Sequence, residues 1–328
     1  MFTEQIQVQL LSDAQFEHMV LSDFENEAFI TALNGQKQLL EALEMIPANT
    51  DYVALVQASM GEGIIGLYVP STTELFVRGT EVTPFVAATV VHELTHAIDD
   101  QHFDLDSIEV QAGDADLAFA LSALAEGSAT TVESDYVDSL PAEQVVLLRQ
   151  EQADFASQMR LPISPPSVTE ISQDAYSLGE TFVARLIHGG GMAALDAAFR
   201  DPPMSTEQVL HPDRFASRDS VTYVLTPPYE GTEITNGTIG EQTLIELLSA
   251  DLDPATARAA AQGWGGDHYV LYSTGSETCA RMDFALDSND DTLELLVAFT
   301  KWGAHQHEVT ITQIERQRLR VTTCGPST

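Results

Sequence analysis

Apolar positions along this chain change period several times, and each change marks an element. IQVQLL at 6–11 alternates as a strand does. Ser12 or Asp13 then suits the cap of a helix running to about Leu21. Phe29, Leu33, Leu40 and Leu43 keep helical spacing across 25–45, with Gly35 as a weak point. IIGLYVP, STTE and LFVRG, at 64–79, read as apolar strand, polar turn and apolar strand, which predicts a hairpin. Thr83-Pro84 starts a helix, since Thr caps well and Pro fits the first turn. That helix should run to about Gln101.

A second long helix should start near Asp114 or Asp116 and pass Glu133. Its AFALSALAEGSAT stretch is rich in small residues, so another helix can approach it closely. Helices are also expected over roughly 142–159 and 174–188, separated by the linker PISPPS, with GGG at 189–191 ending the latter. Ser205 opens a short helix, with Gln208 placed to complete a capping box. From about 220 the pattern turns strand-rich: VTYVL, DHYVLYST, ARMDFAL, HEVTITQI and LRVTTC. TIGEQTLIELLSA and DPATARAAAQGW are helical between them. The expected fold is α+β, with a larger region over 1–215 and a smaller α+β domain over 216–328.

Bulk composition narrows the partners. The chain carries 50 acidic and 14 basic residues, a formal charge of −36, and its only lysines are Lys37 and Lys301. Such a surface repels nucleic-acid phosphates and anionic lipids, so neither is an expected partner. No apolar run reaches 18 residues, so no membrane span is expected. Residues 3–9 read TEQIQVQ and form no apolar leader. The expectation is an extracytoplasmic or secreted protein whose signal lies outside this sequence, with a cytoplasmic location as the alternative. Cys279 and Cys324 form no CxxC pair; a disulfide and two buried thiols both remain open.

The chemistry concentrates in VVHELTHAIDDQ at 90–101. Residues four apart on a helix lie one turn apart on one face, so His92 and His96 can aim two imidazoles at one ion. Zinc suits two neutral nitrogens and a carboxylate, with a fourth position for water. Glu93 stands beside the first ligand as the general base. Glu126 is the expected third ligand, because it is the one charge on an apolar stretch between Leu117 and Thr131 and needs a cation if buried. Glu133 and Asp116 are weaker candidates. DSNDD at 287–291 lacks the glycine and distal glutamate of a calcium loop and reads as a helix cap.

VVHELTHAIDD resembles the active-site helix of the thermolysin-like gluzincins, zinc peptidases whose third ligand is a glutamate on a following helix. The resemblance implies one zinc per chain held by His92, His96 and Glu126, with Glu93 as base and Asp100 supporting a ligand histidine. It also implies that LYVPSTTELFVRG resembles the edge strand along which such enzymes lay an extended substrate. Thr130 stands where those enzymes carry an aspartate four residues after the ligand glutamate, so support for His92 must come from elsewhere. DDQHFDL, PPMSTEQVLHP and GWGGDHYVLY further resemble a group of bacterial and archaeal predicted zinc proteases. The implied activity is peptide-bond hydrolysis on a peptide or protein substrate. The alternatives are a binding or scaffold protein with structural zinc, and a metallohydrolase acting on another bond. Gluzincins usually add a His or Tyr that donates to the developing oxyanion. Two residues suit that role: His211, fixed just before Pro212, and Tyr176 in DAYSLGETF.

The charge excess generates a prediction of its own. Screening weakens repulsion among the carboxylates, so folding stability should rise with added sodium chloride. Thermal melts at low and high salt measure this, and a Tm that is flat or falls with salt would contradict it.

Overall fold

The computed structural model describes residues 2–105, 114–159 and 166–326, and the side chains of these except residues 23, 166–173 and 326. Strand β1 (Gln7–Leu11) leads into helix α1 (Asp13–Val20), where Ser12 and Gln15 form a reciprocal capping box. Asn26 caps α2 (Glu27–Ala42), which runs through Gly35 without a break. Helix α3 (Tyr52–Gly63) was not legible in the periodicity, because its apolar residues form no stripe; Asp51 caps it through Ala54 N–H. The hairpin forms as expected, with β2 (Gly66–Val69) antiparallel to β3 (Glu74–Arg78) across a 3-10 turn at Pro70–Thr72. Strand β1 pairs parallel to the other side of β3, so the order β1-β3-β2 leaves β2 at an edge.

Helix α4 (Pro84–Phe103) packs on this sheet through Val86 and Ala97 against Tyr68, Leu75 and Val77. Its cap is Thr83, whose hydroxyl accepts from Val86 N–H. Asp114 caps α5 (Ala115–Ser139), followed by α6 (Ala142–Gln158) and α7 (Pro166–Gly190). Residues 162–165 of the expected linker lie outside the described residues. The glycine run ends α7, and Gly191 turns the chain at φ 66° into α8 (Met192–Arg200). Ser205 caps α9 (Thr206–Leu210), but Gln208 reaches back to Met204 N–H rather than to Ser205. Helix α10 (Pro212–Ser217) follows at once. Ala120, Ala123, Leu124, Phe182, Val183 and Phe199 make the core of this helical layer.

The remaining strands are β4 (Thr232–Gly237), β5 (Trp264–Ser273), β6 (Glu277–Leu286), β7 (Val309–Glu315) and β8 (Arg318–Pro326). They form an antiparallel sheet of order β4-β5-β6-β8-β7. VTYVL, expected as a strand, is not one: Thr222 N–H makes a bond to Gly265, no ladder follows, and Pro227 and Pro228 remove the next donors. Strand β4 takes the place beside β5 instead. Helices α11 (Gly240–Ser249), α12 (Pro254–Ala261) and α13 (Asn289–Trp302) cover one face of the sheet. Ser288 caps α13, which accounts for DSNDD. The largest apolar cluster joins Leu33, Leu40, Leu43 and Tyr52 to Leu247, Trp264, Phe284 and Val321. It therefore spans the position near 216 at which the sequence pattern changes character.

Cys279 and Cys324 face each other across β6 and β8 and are joined in a disulfide that closes a separation of 45 residues. Closing a loop of that length should contribute about 2–4 kcal/mol. Urea melts with and without reductant should differ by that amount, and equal midpoints would show that the bond contributes nothing.

Candidate metal centre

Helices α4 and α5 present the site together. The four-residue spacing on α4 stacks His92 and His96, with ring centroids 4.8 Å apart. Glu126 and Glu133 lie seven residues apart on α5, two turns along one face. The helices are pinned beside the site by Ser128, whose hydroxyl donates to Asp99 at 2.7 Å. Burial pushes the Asp99 carboxyl up to about 6, against the lowering effect of the Ser128 bond.

Three donor atoms converge. His92 Nε2 lies 3.1 Å from His96 Nε2 and 3.2 Å from Glu126 Oε2, and His96 Nε2 lies 3.7 Å from the same oxygen. Ligands about 2.0–2.1 Å from a tetrahedral zinc stand roughly 3.3 Å apart, so the trio has the spacing of such a shell. The side chains of His92, His96 and Glu126 are only 12%, 16% and 19% exposed. On its far side, His92 Nδ1 lies 3.1 Å from Glu133 Oε2. Burial disfavours a charged His92, but the bonds to Glu126 and Glu133 outweigh it and raise the imidazole. Burial likewise opposes ionisation of Glu126, yet His92 and His96 hold its carboxyl below the usual range. Among the described residues, one other cluster has metal-ligand spacing, Glu277 with Cys279 and Cys324, but its sulfurs are bonded to each other.

Glu93 is buried between α4 and the edge strand. Gly66 of β2 makes room for it: a Cβ there would sit 2.6 Å from Glu93 Oε1 and 2.7 Å from the Thr89 methyl. Burial pushes the Glu93 carboxyl up, opposed by His96, His92 and the backbone N–H of Tyr68. Asp100, which the motif resemblance placed behind a ligand histidine, does something else. It accepts from the Tyr68 hydroxyl at 2.9 Å and from Leu105 N–H at 3.1 Å, tying β2 to the end of α4. On α5 the carboxylate that meets His92 Nδ1 is that of Glu133, three residues beyond Thr130. Its two-turn offset from Glu126 was readable as helical spacing, but which face met His92 was not.

Tyr176 and His211 part company. Helix α7 crosses α5 where Gly127 meets Gly179, and a Cβ on either would overlap the other helix's backbone carbonyl. This crossing, three residues from Tyr176, brings its ring to 6.3 Å from that of His92. Burial first, then the charges of Glu126 and Glu93, raise the phenol above its usual range. The residue is still 47% exposed. His211 Nε2 instead lies 2.9 Å from Glu241 Oε1, and no described hydrogen bond or ring contact joins it to His92, His96 or Glu126. That bond to Glu241 raises the His211 imidazole. Asp116 is no ligand either: it accepts from Thr206 N–H and hydroxyl at the start of α9.

The fold and site thus define an α+β protein with a His-His-Glu cluster of metal-binding geometry between two helices. Residues 225–325, from just before β4 to the end of β8, match a family described as a domain of unknown function (DUF8575). No curated protein and no solved structure matches the chain.

The helix crossing predicts opposite outcomes for two glycines of α7. Gly179→Ala should cost about 1–3 kcal/mol through overpacking. Gly189→Ala, with nothing within 4 Å of the added Cβ, should be neutral or stabilising by up to about 1 kcal/mol. Denaturant unfolding of the two variants checks the contrast, and similar midpoints would refute the tight crossing.

Proposed function

We propose that this protein is a zinc-dependent peptidase of gluzincin type, with His92, His96 and Glu126 as ligands and Glu93 as general base. One observation carries the reading: two imidazole nitrogens and a carboxylate oxygen face one another at 3.1–3.7 Å. One proton cannot satisfy three mutually facing acceptors, whereas one cation can. The donor set of two nitrogens and one oxygen is that of a catalytic zinc with an open position. A zinc ion held by these three residues would supply Lewis acidity and lower the pKa of a water at the site.

The chain's own groups do the rest. Glu93 takes a proton from the attacking water and passes it to the leaving amine. Its burial against Gly66 raises its basicity toward that task. Tyr176 is assigned the donor role toward the developing oxyanion, because its ring neighbours His92 while His211 is engaged with Glu241. The outer edge of β2 has no partner strand among the described residues, so its free backbone groups can pair with an extended peptide.

Purified protein should hold about one zinc per chain. His92→Ala, His96→Ala and Glu126→Ala should each lose it, read by elemental analysis. Glu93→Gln should keep zinc and cut cleavage of an unfolded protein library about 10²–10⁴-fold. Tyr176→Phe should keep zinc and lower turnover about a hundredfold. Zinc binding with no cleavage by the wild type would favour a structural metal, and full activity in Glu93→Gln would overturn the mechanism.

A further inference from the structure

We infer that Glu133 is the positioning residue of this centre, holding His92 in the one tautomer and orientation that aims Nε2 at the metal; the inference rests on the reading above. The two nitrogens of His92 each meet a carboxylate oxygen from the same helix, Nε2 at 3.2 Å from Glu126 and Nδ1 at 3.1 Å from Glu133. They are not equivalent. Nε2 also faces His96 Nε2 at 3.1 Å, so it belongs to the converging donor trio, while Nδ1 points away from it. An ionised carboxylate only accepts, so with a cation on Nε2 the proton of a neutral His92 lies on Nδ1, where Glu133 accepts it.

No other described carboxylate competes for the task. Asp100 is engaged with Tyr68 and Leu105, and Asp99 with Ser128. Thr130, one turn beyond Glu126, carries no carboxylate. A glutamate is longer than an aspartate by one methylene, which suits a support placed two turns rather than one turn along the helix. One rigid helix thus supplies both a ligand and the brace of the neighbouring ligand. The distance between the two carboxylates is fixed by helical rise and does not depend on a loop. The Glu133 side chain is 26% exposed, so its truncation opens no core cavity and alanine is well suited to the helix.

The experiment is zinc affinity measured by competition with a chromophoric chelator, together with the visible spectrum of the cobalt-substituted protein. Glu133→Ala should fold with unchanged far-ultraviolet circular dichroism and bind zinc about 10–100-fold more weakly. Its cobalt spectrum should shift as the His92 ring loses its fixed direction. Glu133→Gln should stay within about threefold of wild type, since its amide oxygen still accepts from Nδ1–H. Rescue by glutamine separates positioning from a general loss of helix stability, which would affect the apo-protein melt of both variants alike. Affinity in Glu133→Ala within about twofold of wild type would overturn the inference, as would a glutamine variant as weak as alanine. A wild type that binds no zinc would instead remove the underlying reading of the centre.

Discussion

Three carboxylates and two imidazoles share one largely buried space between α4, α5 and the edge strand β2, and that excess of negative charge governs the structure around it. Glu93, Glu126 and Glu133 would repel one another if left uncompensated in a poorly solvated site. The histidines supply part of the balance, and the metal proposed for the site would supply the rest. The scaffold must therefore hold the helices at fixed separation against this repulsion. It does so with short-range devices on either side: the Asp99–Ser128 bond between α4 and α5, and the backbone contact of Gly127 with Gly179 between α5 and α7.

The strand-rich C-terminal part takes a share in that task. Asp116, in the first turn of helix α5, which carries Glu126 and Glu133, accepts from Thr206 of α9. The Thr206 hydroxyl in turn accepts from the backbone of Gln242 at the start of α11. The Gln242 side chain donates to Asp174 at 2.6 Å, two residues before Tyr176. Asp267 of β5, fully buried, accepts from the N–H groups of Ile239 and Gly240 and anchors the same end of α11. Burial raises the carboxyls of Asp116 and Asp267 to about 7 and about 6, opposed in each case by the donors they accept from. A chain of polar contacts thus runs from the matched segment at 225–325 to α5 and α7, two of the three helices that carry candidate site residues. With the shared apolar cluster, it makes the two halves of the sequence one packed unit.

Much of this was written locally. Caps at Ser12, Thr83, Asp114, Ser205 and Ser288 set helix starts, because capping depends on neighbours within three or four residues. The i, i+4 spacing of His92 and His96 is a property of one helix, and so is the two-turn offset of Glu126 and Glu133. The β2–β3 hairpin followed from two apolar runs flanking a polar turn. Helix α3 escaped notice because its apolar residues form no stripe, and VTYVL misled because strand propensity says nothing about an available neighbour.

By itself, then, the sequence determined the capped starts of several helices, the hairpin and the candidate ligands, since each depends on contacts close along the chain. Only the tertiary structure decided who supports them. Asp100 sits one turn after His96 yet turns to Tyr68, while Glu133, 41 residues from His92, takes up its Nδ1. Tyr176 approaches the centre because two glycines let α7 lie close to α5, and His211 is held by Glu241, 30 residues further on. Those choices depend on the angle and depth at which helices pack, and these are set by volumes summed over many residues, so no short window of sequence contains them.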